Sequence, residues 1–413
     1  MQPARPPGTG NGAARRAEPA RPGSAGEVLL AFLRLGLTSF GGPVAHLGYF
    51  RSEFVERRRW LDDRAYADLV ALCQFLPGPA SSQAGFALGW LRAGWRGGLA
   101  AWVGFTMPSA IAMILFALGI AHSDALAASG AVRGLKIVAV AIVAQAVWTM
   151  ARSLCPDWPR RALAVLAALL AFAVPSALGQ VGAIAACGLL GRWLLTLPPR
   201  AAVPHRSFGV SSHAALAALA LFALLLLGLP LAATISGSPL MTLLDGFYRA
   251  GALVFGGGHV VLPLLQSTVV PGGAVSNADF LAGYGAAQAL PGPLFAFAAY
   301  LGAVTDGPLT GWFGGLVFLV AIFLPGLLLV VGALPFWDRL RGREGVHSTM
   351  AGVNSGVVGI LAAAWVDPVL ASSVHSLADA GLALACFALL VVARISPVWV
   401  VGFAALAASL LAL

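Results

Sequence analysis

Two short runs could do chemistry in an otherwise apolar chain: Gln74-Phe75-Leu76-Pro77-Gly78-Pro79 and Gln288-Ala289-Leu290-Pro291-Gly292-Pro293. Two prolines remove backbone donors and the glycine between them permits turn dihedrals, so a helix entering either run must end there. Pro79 suits the first turn of a new half-helix. That helix would open with unpaired backbone N–H groups, beside Ser81, Ser82 and Gln83, and its positive dipole end would attract an anion. The equivalent start, Pro293-Leu294-Phe295, has no hydroxyl, so the two would bind unequally. The alternative is a kink needed only for packing.

A second pair of runs, Phe40-Gly41-Gly42-Pro43 and Phe255-Gly256-Gly257-Gly258, allows close backbone approach, either to a neighbouring helix or to a ligand. His46 and His259 follow them, placed for an anion contact, a proton-coupled step or a purely structural bond. Arg34 and Arg249 each stand six residues before the phenylalanine. An isolated guanidinium in lipid costs about 2.5–3.5 kcal/mol on insertion scales, which argues for a partner. An oxyanion is one bidentate partner; Glu27 or Asp245, or the headgroups, are the others. Gln74, Gln288, Gln145 and Asn354 are amides that bind an anion or join helices, and Lys136 is a weaker candidate that can reach the interface. The candidate substrate site therefore comprises Arg34, Gly41, Gly42, His46, Gln74, Pro77, Gly78, Pro79, Ser81 and Ser82, with Arg249, Gly256, Gly257, His259, Gln288, Pro291, Gly292 and Pro293 from the second set.

The elements that must position these residues follow from composition. Of 413 residues, 59% are hydrophobic and 10% charged, more apolar surface than a soluble fold of this length buries. Apolar runs of about 17 to 25 residues recur along the chain, each long enough to cross a bilayer as a helix. They lack the alternation of barrel strands, so the expected class is all-α, a polytopic integral membrane protein. Cys73, Cys155, Cys187 and Cys386 are scattered through apolar segments and read as packing residues. The net charge of +9 is nearly all arginine between apolar runs, which topology explains better than nucleic acid does. No ATP-binding, metal-ligand or nucleophile motif stands out, so no cofactor and no enzyme activity are expected.

The paired runs are landmarks of a duplication. Gly97-Gly98 and Pro108 likewise return as Gly314-Gly315 and Pro325. The expected organisation is a disordered basic tail over 1–25, one repeat over 26–197, a linker with one joining helix over 198–240, and a second repeat over 241–413. Basic loops stay on the cytoplasmic side. Arg51, Arg57, Arg58, Arg59 and Arg64, then Arg92 and Arg96, mark loops whose counterparts, 269–279 and 303–309, hold no basic residue. The loop near 122–130 lacks them where its counterpart has Arg339, Arg341 and Arg343. The second repeat is therefore expected to be inverted. Both ends of 26–50 and of 65–92 fall inside, so these segments are expected to be re-entrant hairpins or broken helices. Four spanning helices per repeat and the joining helix make about nine crossings if these segments are re-entrant, and ten or more if either crosses fully as a broken helix. The stretch 51–64 is expected to lie on the membrane surface as a mixed-charge amphipathic helix.

Phe40-Gly41-Gly42-Pro43-Val44-Ala45-His46, Trp60-Leu61, the run from Gln74 to Pro79, Gly97-Gly98 and Pro108, with a second copy downstream, resemble the chromate ion transporter family in its long two-domain form. The second copy departs at Gly258, where the first has Pro43, and lacks a Trp60-Leu61 counterpart. The resemblance implies a multi-pass protein of the bacterial inner membrane that exports chromate, driven by the proton-motive force or by exchange with sulfate, and so confers chromate resistance. Sulfate or another small anion as cargo, and an anion channel, are the alternatives. Chromate or sulfate and the lipid bilayer are the expected partners, nucleic acid is not, and a homodimer is left open.

Overall fold

The structure, a computed structural model, describes residues 23–121, 130–197, 209–255, 258–307, 309–337 and 345–410. Gly256 and Gly257, nearly all of the tail, the basic part of the linker and the loop with Arg339, Arg341 and Arg343 lie outside them. Among the described residues every regular element is helical. The first repeat contains α1 (Ala25–Thr38), α2 (Gly42–Phe50), α3 (Asp63–Phe75), α4 (Ala80–Ala121), α5 (Gly130–Leu154), α6 (Trp158–Ala173) and α7 (Ala177–Leu194). After the joining helix α8 (Ser212–Ser236) come α9 (Pro239–Leu253), α10 (Val261–Val269), α11 (Asn277–Gln288), α12 (Phe297–Val304), α13 (Gly311–Ala333), α14 (Val346–Ala364), α15 (Leu377–Val391) and α16 (Pro397–Leu410).

Among the described residues five apolar helical runs are long enough to cross a bilayer: Ala80–Gly119, Gly130–Leu154, Ser212–Ser236, Gly311–Phe336 and Val346–Ser373. Leu294–Val304, Leu377–Val391 and Pro397–Leu410 are shorter apolar helices. Leu115, Leu224 and Leu384 are exposed on these helices, where only lipid would solvate them favourably. The chain is an all-α, multi-pass membrane protein. Joining helix α8 is the least enclosed: it packs on α9 and α13, and Tyr248 donates to the Phe222 carbonyl at 3.1 Å.

Helix α4 is two arms meeting at a corner, because Ala93 (φ −143°, ψ 29°) and Gly94 (φ 62°, ψ −155°) leave helical dihedrals. The arms touch through glycine: a Cβ on Gly89 would lie 2.3 Å from the Gly97 carbonyl oxygen, and one on Gly97 2.2 Å from that of Gly89. Gly302 and Gly314 stand in the same relation in the second repeat, at 2.4 and 2.3 Å. The residues after each Pro-Gly-Pro run therefore fold straight back against the long helix that follows.

Near the corner the ends of both first-repeat hairpins are tied together. Glu27 at the start of α1 pairs with Arg92 at 3.1 Å and with Arg58 at 3.7 Å. Both guanidiniums lie over the ring of Trp60, at 5.4 and 5.8 Å from its centroid. The expected surface helix over 51–64 is corrected here. Helix α2 widens into a π-helical segment, Arg51–Arg57, and then stops; Arg59 takes a positive φ of 51°, and Trp60 and Leu61 turn inward to become buried. Burying that aromatic against Phe54 outweighs continuing a helix.

The outer helices close around this core. Helix α5 packs on α11, α14, α15 and α16, and α14 packs on α6 and α7. Trp365 donates to the Val140 carbonyl at 3.0 Å, and Gln145 reaches that of Leu390 at 3.5 Å, so this amide joins helices. All four cysteines are free and buried.

Candidate functional site

The four interruptions meet across the two repeats. Helix α3 ends at Phe75, and Gly78 takes a φ of 122° that an L side chain rarely adopts. This turns the Gly78 N–H away from its own segment and onto the Val254 carbonyl, just before the second glycine run, at 2.7 Å. Gly292, with a φ of 96°, does the same from the second repeat: its N–H donates to the Ser39 carbonyl, just before the first glycine run, at 2.9 Å. Ser39 and Val254 are corresponding residues, as are Gly78 and Gly292, so the two bonds are reciprocal. The glycine runs also approach each other. A Cβ on Gly258 would lie 3.8 Å from Pro43 Cγ, its counterpart, and 3.4 Å from the Leu294 side chain.

Each Pro-Gly-Pro turn rests on the proline kink of the opposite repeat. A Cβ on Gly78 would meet the Gly326 Cα at 3.1 Å, and one on Gly292 would meet Ser109 Oγ at 2.9 Å and the Phe105 carbonyl oxygen at 3.2 Å. Gln83 fastens the first contact by donating to the Pro77 carbonyl at 2.8 Å and the Gly326 carbonyl at 3.1 Å. Pro79 stands one place before the expected position: its carbonyl accepts from the Gln83 N–H at 2.9 Å, and the helix starts at Ala80. The second half-helix opens less cleanly, through a 3₁₀ turn, Leu294–Ala296, before α12.

Beside the first half-helix, His46 is buried and its Nδ1 lies 3.4 Å from Ser81 Oγ. The His46 ring packs edge-on against Phe105. Several buried polar atoms here have no hydrogen-bond partner among the described residues: Ser39 Oγ, His46 Nε2, Ser82 Oγ, Gln83 Oε1, Thr106 Oγ1 and Gln288 Nε2. Buried groups left unpaired are costly and uncommon, so a cluster of them marks a place where something else binds. Ser39, Thr106 and Ser109 were not legible from local motifs.

The expected site residues divide. The Pro-Gly-Pro runs, His46, Ser81 and Ser82 surround the junction, Gly256 and Gly257 lie outside the described residues, and Gly41 and Gly42, with φ of 97° and 78°, form the turn into α2. His259 bonds the fully buried Tyr284 hydroxyl at 2.7 Å. Gln74 is exposed, unlike half-buried Gln288. The arginines are not brought together. Arg34 is exposed on the stripe of α1 that carries Leu30, Leu33 and Leu37. Arg249 pairs with Asp245, one turn earlier on α9, in a cavity of ≈ 170 Å³ whose lining includes Thr242, Ser267 and Thr268 and none of the interruptions. The half-helix that starts at Ala80 brings the positive end of its backbone dipole to the junction.

The comparisons with known proteins agree with this duplicated design. The family model for the chromate transporter matches the chain twice, at residues 26–192 and 241–409. A chromate transport protein of Pseudomonas aeruginosa is 31% identical over 83% of this chain and 80% of its own length. A probable chromate transport protein of Synechococcus elongatus is 29% identical, covering 81% of each chain. One from Cupriavidus metallidurans is 26% identical over 88% of this chain and 87% of its own. No solved structure matches. Matched twice by that family model and 31% identical to one such relative over 83% of its length, the chain belongs to the chromate transporter family.

Proposed function

We propose that this protein moves chromate across the bacterial inner membrane by secondary active transport, and that the junction of the four interruptions is where the anion is held. The reciprocal pair of hydrogen bonds, Gly78 to Val254 and Gly292 to Ser39, carries the reading. Non-helical backbone at membrane depth persists only where protein or an aqueous cavity surrounds it, and paired interruptions at a repeat interface are how inverted-repeat transporters build substrate sites. The names of the relatives supply the cargo.

The repeats, 26–197 and 241–413, lie in opposite orientation in this reading, supported by the alternation of arginine-rich and arginine-free loops. Rocking one repeat against the other exposes the junction to either side in turn. Tight glycine corners at Gly89/Gly97 and Gly302/Gly314 let each hairpin move with its long helix as one body. With a proton as the counter-ion, the inside-negative potential favours outward movement of the dianion and so efflux; one-for-one exchange with sulfate moves no net charge and takes its direction from the sulfate gradient.

Purified protein in liposomes tests this directly. Chromate flux that responds to an imposed pH gradient or to trans sulfate supports coupled transport. Flux of sulfate with none of chromate changes the cargo, and flux at channel rates without countertransport removes the coupling.

A further inference from the structure

The unpartnered polar atoms at the junction belong mostly to one repeat. Ser39 Oγ, His46 Nε2, Ser82 Oγ and Thr106 Oγ1 all lack partners, and each residue is 2% exposed or less. Counting from the shared landmarks, the corresponding residues of the second repeat are Val254, Val261, Ala296 and Phe323. Ser81 and Gln83 correspond to Phe295 and Phe297. Each of these six polar positions has become apolar on the second side, where Gln288 keeps its amide.

The two sides are in contact. Phe295 and Phe323 pack with ring centroids 5.6 Å apart, and Phe323 lies 5.7 Å from Trp102, one turn before Thr106 on α4. Leu294 covers Gly258, and Gly258 faces Pro43. With the Ser81 hydroxyl assigned as donor to His46 Nδ1, the neutral ring carries its proton on Nε2 and offers it as a donor. Three hydroxyls and this Nε2–H are neutral donors beside the N-terminus of the half-helix that starts at Ala80.

We propose that the junction holds a single tetrahedral oxyanion, seated off the pseudo-symmetry axis against the first repeat, with Ser39, His46, Ser82 and Thr106 as its donors and the second repeat as an apolar wall. This rests on the reading of the junction as the transport site and adds its stoichiometry, its sidedness and two residues, Ser39 and Thr106. The duplicated fold supplies two half-sites. Apolar replacement has erased one, since a buried donor with no anion to meet costs about 1–3 kcal/mol.

Equilibrium binding of radiolabelled chromate and sulfate to the purified full-length protein tests the proposal, alongside chromate flux in liposomes. One anion per chain is expected, with Ser82→Ala and Thr106→Val each weakening binding about tenfold and Thr106→Ser retaining it. Thr106→Val keeps the shape of the side chain, and a thermal melt of each variant checks that the fold survives. Two anions per chain, unchanged affinity in both variants, or no binding of either anion to the wild-type protein overturns the site. Intact chromate flux with unchanged affinity in the variants removes the site and leaves the transport reading standing. Oxyanion binding that Ser82→Ala weakens, in a protein that carries no chromate, does the reverse.

Discussion

The Gly78 N–H donates to the Val254 carbonyl across the two repeats at 2.7 Å, and the Gly292 N–H returns the bond to Ser39 at 2.9 Å. A side chain at Gly78 is opposed twice, by a φ of 122° and by the Gln83 amide nitrogen 2.7 Å from where its Cβ would sit. Gly78→Ala should cost about 1–3 kcal/mol of backbone strain. The expected outcome is at least a tenfold fall in chromate flux with the protein still inserted, read in liposomes against the amount reconstituted. Gly292→Ala should act in the same direction, through Ser109.

The corner of α4 makes a stability prediction. Gly97→Val would drive a branched side chain into the Gly89 carbonyl, 2.2 Å from the new Cβ, where a helix backbone has nowhere to go. Overpacking of this kind costs about 1–3 kcal/mol. A lower melting temperature in detergent is expected for Gly97→Val and for Gly314→Val, with a smaller change for substitution at exposed Leu99.

Asp379 is fully buried at the start of α15, where it accepts from Arg133 at 3.1 Å and from the His375 and Ser376 backbone N–H groups at 3.0 and 3.1 Å. Arg133 itself is 41% exposed, so solvent screens its side of the pair. Asp379→Ala, which strands several donors, should destabilise by about 2–4 kcal/mol, and Arg133→Ala by about 1 kcal/mol or less. Comparable thermal shifts for the two would show that the backbone bonds contribute little.

Arg249 and Asp245 form a pair in their own cavity, away from the junction. Arg249→Ala leaves a largely buried carboxylate without its partner and should destabilise by about 3 kcal/mol. The double variant Asp245→Ala/Arg249→Ala should recover much of that loss and bind chromate as the wild type does. Loss of chromate binding in a stable double variant would return the guanidinium to the anion site. Arg34→Ala, on an exposed face, is expected to leave binding unchanged.

Much of this design was readable from residue types alone. Proline without an N–H and glycine free to take positive φ stop a helix wherever they stand, so Pro77-Gly78-Pro79 and Pro291-Gly292-Pro293 announced their breaks without reference to anything distant. Long apolar runs announced a bilayer, and their repetition announced many crossings. The surface helix expected over 51–64 failed because helical periodicity says nothing about a buried Trp60 pulling the chain inward under two arginines.

What the sequence by itself determined was that helices break at the two Pro-Gly-Pro runs, since that depends on dihedral and donor chemistry confined to a few adjacent residues. Only the tertiary structure decided which interruption meets which, that Arg249 faces Asp245 while Arg34 faces outward, and that Ser39 and Thr106 sit unpartnered beside His46. Those relations join segments far apart in the chain. They depend on helix phase and on the packing of both repeats at once, which no local pattern encodes.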